Sequence, residues 1–388
     1  MTPANEAYFE LAEQWRLKGS ESFVKLAELW VTPEEAKVLS GLNWWMTSAE
    51  LAKKLKMDEE YVKTTLGKVA RTGLVRRKDV YWNASPNMGS PFPQMAPPGV
   101  PEDKFNERWI DFYRSGDNQK WIVEWQLQRL AATGNPPHRV IPARKALRAS
   151  PNLKQEHILW YEDMDQILRR ATFIRGGTGK DACGCRRTWG ICDAPVGCMG
   201  WSYDDKPPRW TEGREEDEQR RQERIKKGIS LERALELVDI AEEYGQVNIP
   251  ANISGDTVTC FCCPCCCHCI SPSLNYGKPY KNYGKVQVGT APSRFLPIID
   301  QELCNGCQTC VGRCHFSAIE MVKTAGSKKL KASVLSENCM GCGLCVFKCP
   351  QKAIRLEIVR PPSHIPVATW NDLVNQPLEL PRKLEPVT

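Results

Sequence analysis

The 388-residue chain has no run of about 18 consecutive apolar residues, so nothing in it reads as a membrane-spanning helix. Its opening, MTPANEAYFELAEQW, is amphipathic and lacks the charged-then-apolar order of a secretory leader, which leads to the expectation of a soluble, cytoplasmic protein. No glycine-rich turn follows a strand and opens a helix as a dinucleotide-binding loop does. Flavin and nicotinamide fingerprints are therefore not found in the chain.

What the chain does have is cysteine, 19 of them. At this length two or three cores can form without covalent staples, and in a reducing cytosol clustered thiols are more often metal ligands or catalytic groups than disulfides. The formal charge of +7 invites a nucleic-acid reading but omits any bound metal. A cubane iron–sulfur cluster on four thiolates carries about −2 when oxidised, so about four of them would cancel the excess.

The expected fold is α+β, in order along the chain. Over residues 1–83, TPEEAKVLSGLNWW opens with Thr32 as N-cap and Glu35 three residues on, a capping box. TSAELAKKLKM and DEEYVKTTLGKVARTG follow as two more helices, the last closed by Gly73, and LVRRKDVYWN reads as a strand or wing. This segment resembles the winged helix-turn-helix domains of bacterial regulators. A DNA-reading helix presents basic or amide side chains at its N-terminus, whereas Asp58, Glu59 and Glu60 stand there, so a protein-docking or structural role is expected. Residues 84–103 are proline-rich and read as a linker. Residues 104–294 form a helical, cysteine-rich middle domain, 295–360 a C-terminal domain and 361–388 a tail. The tryptophan-rich patterns FNERWIDFYRSGDNQKWIVEWQLQRLAATG and QEHILWYEDMDQILRRATFI read as helices with core or interface faces. SLERALELVDIAEEYG reads as an amphipathic helix from an N-cap at Ser230 to a stop at Gly245.

The C-terminal cysteines are arranged twice over. Cys304, Cys307, Cys310 and Cys314 recur as Cys339, Cys342, Cys345 and Cys349, each offset by 35 residues (339 − 304 and so on). Cys-x-x-Cys-x-x-Cys-x-x-x-Cys is the bacterial two-cluster ferredoxin run, and from about Phe295 to Val359 the chain resembles those ferredoxins. The resemblance implies one 4Fe-4S cluster on Cys304, Cys307, Cys310 and Cys349, and a second on Cys339, Cys342, Cys345 and Cys314. Gly306, Gly341 and Gly343 would let backbone N–H groups approach the sulfides. The second run ends Cys349-Pro350, but the first has His315 after Cys314 where that family places proline.

The middle domain is less regular. CGCRRTWGICDAPVGC supplies Cys183, Cys185, Cys192 and Cys198, with Arg186 and Arg187 to offset cluster charge. CFCCPCCCHC supplies Cys260, Cys262, Cys263, Cys265, Cys266, Cys267 and Cys269. Neighbouring side chains in an extended segment point opposite ways, so adjacent thiols serve different sites or opposite sides of one cofactor. The 11 thiols match two cubanes with spare cysteines, or one cubane and a less common cluster; two further clusters are expected. From Ile174 to Val359 the order of motifs resembles multi-cluster 4Fe-4S proteins of anaerobes, whose second group reads Cys-x-Cys-Cys-x-Cys-Cys-Cys. Cys260, Cys262, Cys263, Cys265, Cys266 and Cys267 match it; His268 and Cys269 fall outside it and are weaker ligand candidates.

The function expected from this content is electron transfer as a subunit of a redox enzyme complex. Low-potential electrons would pass to or from a flavin, molybdenum or tungsten partner that carries the chemistry. Two alternatives stand beside it: a reductase whose middle domain holds a substrate-binding cluster, and a redox-responsive DNA-binding regulator. No membrane insertion is expected.

Overall fold

The structure, a computed structural model, describes residues 3–42, 45–72, 74–84, 96–179, 183, 193–203, 226, 228–265, 267, 269–270, 289–324 and 326–368. Gly73, Cys185, Arg186, Arg187, Cys192, Cys266 and His268 lie outside them. The chain divides into two compact units, Met1–Glu124 with Arg209–Lys226, and Trp125–Pro208 with Lys227–Thr388.

The first unit holds helices α1 (Pro3–Gln14), α2 (Glu21–Ala27), α3 (Pro33–Gly41), α4 (Ser48–Leu55), α5 (Glu59–Ala70) and α6 (Glu102–Arg114), and the start of α7 (Asp117–Thr133). Strands β1 (Met46–Thr47), β2 (Val75–Lys78) and β3 (Tyr81–Ala84) form an antiparallel sheet in the order β1-β3-β2. Polar caps set the helix starts. Thr32 and Thr47 each close a capping box, with Glu35 and Glu50, and the Asp58 side chain accepts from the Tyr61 amide at 2.8 Å.

The segment Glu102–Glu124 packs in this first unit, and the division between the two compact units falls inside α7. The reason is aromatic. Phe105, Trp109 and Phe112 recur at i, i+4 and i+7 on α6 and are buried; Phe105 meets Trp30 at 6.3 Å and Phe112 meets Phe23 at 6.4 Å between ring centroids. Asp117 then accepts hydrogen bonds from the Ser20 and Ser22 hydroxyls at 2.6 and 2.7 Å.

The second unit contains β4 (His138–Arg139), α8 (Arg144–Arg148), α9 (Met164–Arg170), β5 (Phe173–Thr178), β6 (Val196–Ser202), α10 (Leu231–Tyr244), β7 (Val247–Pro250), β8 (Val258–Cys262) and β9 (Thr290–Ala291). There follow β10 (Phe295–Ile299), α11 (Thr309–Arg313), β11 (Ile319–Val322), β12 (Lys331–Val334) and β13 (Ile354–Ile358). Where one helix was expected over QEHILWYEDMDQILRRATFI, two single 3-10 turns (Gln155–His157, Trp160–Glu162) precede α9, and β5 begins at Phe173. Asp163 explains the restart: its side chain accepts from the Asp165 amide at 2.9 Å and caps α9.

Four antiparallel strands form a sheet in the order β5-β6-β8-β7. Helix α10 covers it, burying Ala234, Leu237, Val238 and Ala241 at the 3.6-residue period against Val196, Met199, Trp201 and Phe261. Ser230 caps its start and Gly245, at φ +108°, ends it in the left-handed region. In the C-terminal part, β10 pairs with β13 (Phe295 opposite Ile358) and β11 with β12 (Ile319 opposite Val334). One hydrophobic core runs through both parts, from Val140, Val247, Cys262 and Cys269 to Phe295, Cys310, Cys345 and Leu356. Among the described residues no helix is long and apolar enough to cross a membrane.

Candidate metal centres

The cysteine duplication extends to the backbone. Gly306 and Gly341 have φ +77° and +67°, Gln308 and Gly343 +65° and +74°, Ser317 and Lys352 +50° and +51°, and each pair is 35 residues apart. Two amides repeat as well: Ala318 N–H donates to Cys314 Sγ at 3.3 Å and Ala353 N–H to Cys349 Sγ at 3.4 Å. Such N–H donors stabilise a thiolate in place of water.

Cys304, Cys307, Cys310 and Cys349 line one hollow, with Ile299, Ala332 and Ile354 on its walls. Cys349 comes from the second run and the other three from the first. Cys307 is exposed, and its thiol is pulled below its ordinary value by the Thr309 hydroxyl, 3.4 Å away. Cys314, Cys339, Cys342 and Cys345 form the other group. Burial pushes Cys339 up to about 11 and Cys342 to about 12, and raises Cys345 further, with neighbouring thiols adding to each rise. Buried thiols held apart from water stay protonated unless a metal cation takes the charge, so this donor set fits a thiolate-bound cluster.

The middle-domain thiols converge on the sheet. Cys260 and Cys262 are two residues apart on β8 and share a face, while Phe261 points into the core under α10. Cys198 on β6 is the register partner of Cys260, and their Sγ atoms are 3.5 Å apart. The chain then turns and returns Cys269, so that the sulfurs of Cys260, Cys262 and Cys269 all lie within 4.8 Å of one another. Cys267 sits beside them, its sulfur accepting the Cys269 amide at 3.3 Å, and Cys183 acts on Cys198 electrostatically. Cys263 and Cys265 pair separately, at 3.2 Å between sulfurs.

His138 is a site residue that no sequence motif selects. It lies on β4, buried, with Nδ1 3.2 Å from the Gly289 carbonyl and its ring 6.2 Å from that of Trp125. It stands against Cys269, whose thiol is lowered to about 7 by hydrogen bonds with Cys260 and Cys262 and further by the imidazole. The parallel pairing of β4 with β9 brings this histidine within reach, across more than 100 residues of chain. Cys269, a weaker candidate in the sequence, is central here.

His315 has a structural reason. Its Nε2 is 2.7 Å from the Gly245 carbonyl at the end of α10, and Arg313 donates to the Glu242 and Glu243 carbonyls at 2.7 and 3.0 Å. A proline after Cys314 would offer no such donor.

No curated protein and no solved structure compared with the chain matches it. Residues 297–356 match the family described as the 4Fe-4S dicluster domain, and this part of the chain is a ferredoxin-like iron–sulfur domain.

Proposed function

We propose that the protein is an electron carrier in which the C-terminal domain holds two 4Fe-4S clusters and the middle domain holds further metal. The observation that carries this reading is the shared core: middle-domain and C-terminal thiols are parts of one hydrophobic cluster. The Ala143 amide, between β4 and α8, donates to the Cys342 carbonyl at 2.9 Å, which ties the middle domain to the second cysteine run. Fe–S clusters supply one-electron chemistry when bound. What the chain supplies is their insulation and spacing.

The geometry above supports the following ligand division. Cys304, Cys307, Cys310 and Cys349 would hold the outer cluster, and Cys314, Cys339, Cys342 and Cys345 the inner one. Cys345 feels the charge of Cys310, so the two groups are neighbours. Electrons would pass between the middle domain and the inner cluster, then the outer cluster, and leave beside exposed Cys307 to a redox partner protein or larger oxidoreductase complex.

The first 83 residues fit a winged helix that docks protein. Asp58 is used as a cap, Glu59 accepts from Ser48 at 3.2 Å and Glu60 pairs with Lys63 at 3.4 Å, so the start of α5 is acidic where a phosphate backbone would need cations.

Anaerobic purification with iron and acid-labile sulfide counts, and electron paramagnetic resonance of the reduced chain, tests the carrier reading. About 8 sulfides or more and a signal broadened by two neighbouring clusters are expected. Cys349→Ala should remove one cluster while leaving the ligands of the other intact. A sulfide count well below about 8 would end the proposal.

A further inference from the structure

We propose that Cys260, Cys262 and Cys269, with Cys198 as fourth ligand, bind a single tetrahedral divalent ion, zinc or ferrous iron, in place of a cubane. The proposal deepens the carrier reading, on which it rests for the two C-terminal clusters.

Spacing is the first argument. A thiolate binds zinc at about 2.3 Å, so two sulfurs on one tetrahedral ion stand about 3.8 Å apart. The three sulfurs here lie within 4.8 Å of one another, and Cys198 Sγ is 3.5 Å from Cys260 Sγ. Thiolates on a cubane bind different irons and splay outwards from its corners, which separates them further. The same chain provides the comparison. Among the described residues no three C-terminal thiols approach so closely, and four of them instead line one hollow with Ile299, Ala332 and Ile354.

The sulfurs are also held by the fold. Three of the four sit on paired strands, so sheet register fixes their separation: Cys198 opposite Cys260, and Cys262 two residues on along the same face. Most of the ferredoxin ligands sit instead on loops with left-handed residues, and Cys310 on the short helix α11. Gln246, which follows the Gly245 stop of α10, locks the strands further. Its amide nitrogen donates to the Val196 and Phe261 carbonyls, both at 2.7 Å, and its oxygen accepts the Val196 amide at 3.1 Å. Three soft donors held close together, with Cys198 against one of them, suit an ion with a fixed tetrahedral preference, and Cys198 closes the set by moving onto the ion.

Burial matters as well. Cys262 is 1 % exposed and Cys269 6 % exposed, so uncompensated thiolates there would be costly and binding must displace the thiol protons to solvent as the ion enters. His138 stands against Cys269 with Nδ1 engaged by the Gly289 carbonyl, which leaves its buried Nε2 as the ring nitrogen free to act on the thiol. It is a positioning residue for Cys269, and the competing nitrogen donor.

The test is a difference measurement on the full chain, purified anaerobically. Cys262→Ser should lose one metal ion and no acid-labile sulfide relative to wild type. Loss of about four irons together with about four sulfides would replace the single ion by a cubane and overturn the proposal. A wild-type sulfide count below about 8 would instead count against the C-terminal clusters, a separate failure. X-ray absorption at the zinc edge, or Mössbauer spectroscopy if the extra metal is iron, reads the wild-type protein without relying on a variant that folds. Four sulfurs at about 2.3 Å with no metal–metal shell are expected. Three sulfurs and one nitrogen would remove Cys198 from the set in favour of His138, as would metal retained in Cys198→Ser but lost in Cys267→Ser in favour of Cys267.

Discussion

Replacing Gly341 by alanine measures how tightly the second cysteine loop is built. Gly341 has φ +67°, and a Cβ there would lie 2.2 Å from both the Phe295 carbonyl oxygen and the Ser293 hydroxyl. Its amide donates to Cys339 Sγ at 3.4 Å and its carbonyl accepts from Ser293 at 2.8 Å, so the loop has little freedom to move aside. The left-handed backbone costs alanine about 1–2 kcal/mol. Forcing a methyl against a fixed carbonyl adds about 1–3 kcal/mol. Gly326 is the control: φ is +76°, but nothing lies within 4 Å of its Cβ position, so only the backbone cost applies. The expected losses are therefore about 2–5 kcal/mol for Gly341→Ala and about 1–2 kcal/mol for Gly326→Ala. Urea titration under argon, followed by loss of cluster absorbance, reads both. With a slope of about 1–3 kcal/mol per molar, the two midpoints should differ by roughly 1 M. Equal midpoints would show that the loop yields to the methyl and that the contact with Phe295 and Ser293 does not hold it.

Three further perturbations follow from other contacts. Glu162 and Arg294 form an ion pair at 2.6 Å with side chains 2 % and 4 % exposed, so Glu162→Ala should cost about 3–5 kcal/mol in chemical unfolding, and a paired Glu162→Gln, Arg294→Met variant should recover part of it. Burial raises Glu242 from its ordinary 4.5 to about 7, against the Arg144 and Lys145 amides that favour its charge. The unfolded chain gives up that proton first, so stability contributed by the protonated form is lost as pH rises from 4.5 to about 7, at most about 3 kcal/mol. Glu242→Gln should therefore flatten the dependence, and a wild-type gap between pH 5 and 8 that persists unchanged in the variant would assign it elsewhere. His315→Pro should keep both clusters by sulfide count and cost about 0.5–1.5 kcal/mol from the lost Gly245 hydrogen bond, whereas cluster loss would make His315 part of a ligand set.

Much of the fold is legible in the sequence through local rules. Thr32 and Ser230 announce helix starts because a side-chain oxygen beside orphan amides is a local event, and the 35-residue repeat of cysteines marks the C-terminal domain because ligand spacing is local too. The parts that are not legible depend on contacts distant in sequence. Phe105 and Phe112 read as a core face, but only packing against Trp30 and Phe23 assigns that face to the first unit. Cys198 and Cys260 are 62 residues apart and meet through strand register, and His138 reaches Cys269 through β9. The motif match in CFCCPCCC stops at Cys267, so Cys269 ranks below Cys263 and Cys265, which among the described residues are not in the close group.

The duplication also explains how the C-terminal domain is held against the middle one. Arg313 and Lys348 precede the fourth cysteine of each run and are equivalent positions, since 348 − 313 is again 35. Both grip the same helix end: Arg313 donates to the Glu242 and Glu243 carbonyls, and Lys348 pairs with the Glu243 carboxylate, which also binds Lys145 at 2.6 Å. Cations at a helix C-terminus complement its dipole, by about 0.3–1 kcal/mol each at the surface. Glu243 is drawn down to about 2 by those two lysines. Contacts this small select an orientation more than they hold one. Adhesion comes from the core beneath, where Ala143 and Ala146 on the middle-domain side meet Leu344 and Leu356 on the other. His315 completes the grip from the first run only, at the Gly245 carbonyl that the second run does not reach. One copy of the repeat thus carries a histidine that makes a contact for which the other, ending Cys349-Pro350, has no counterpart.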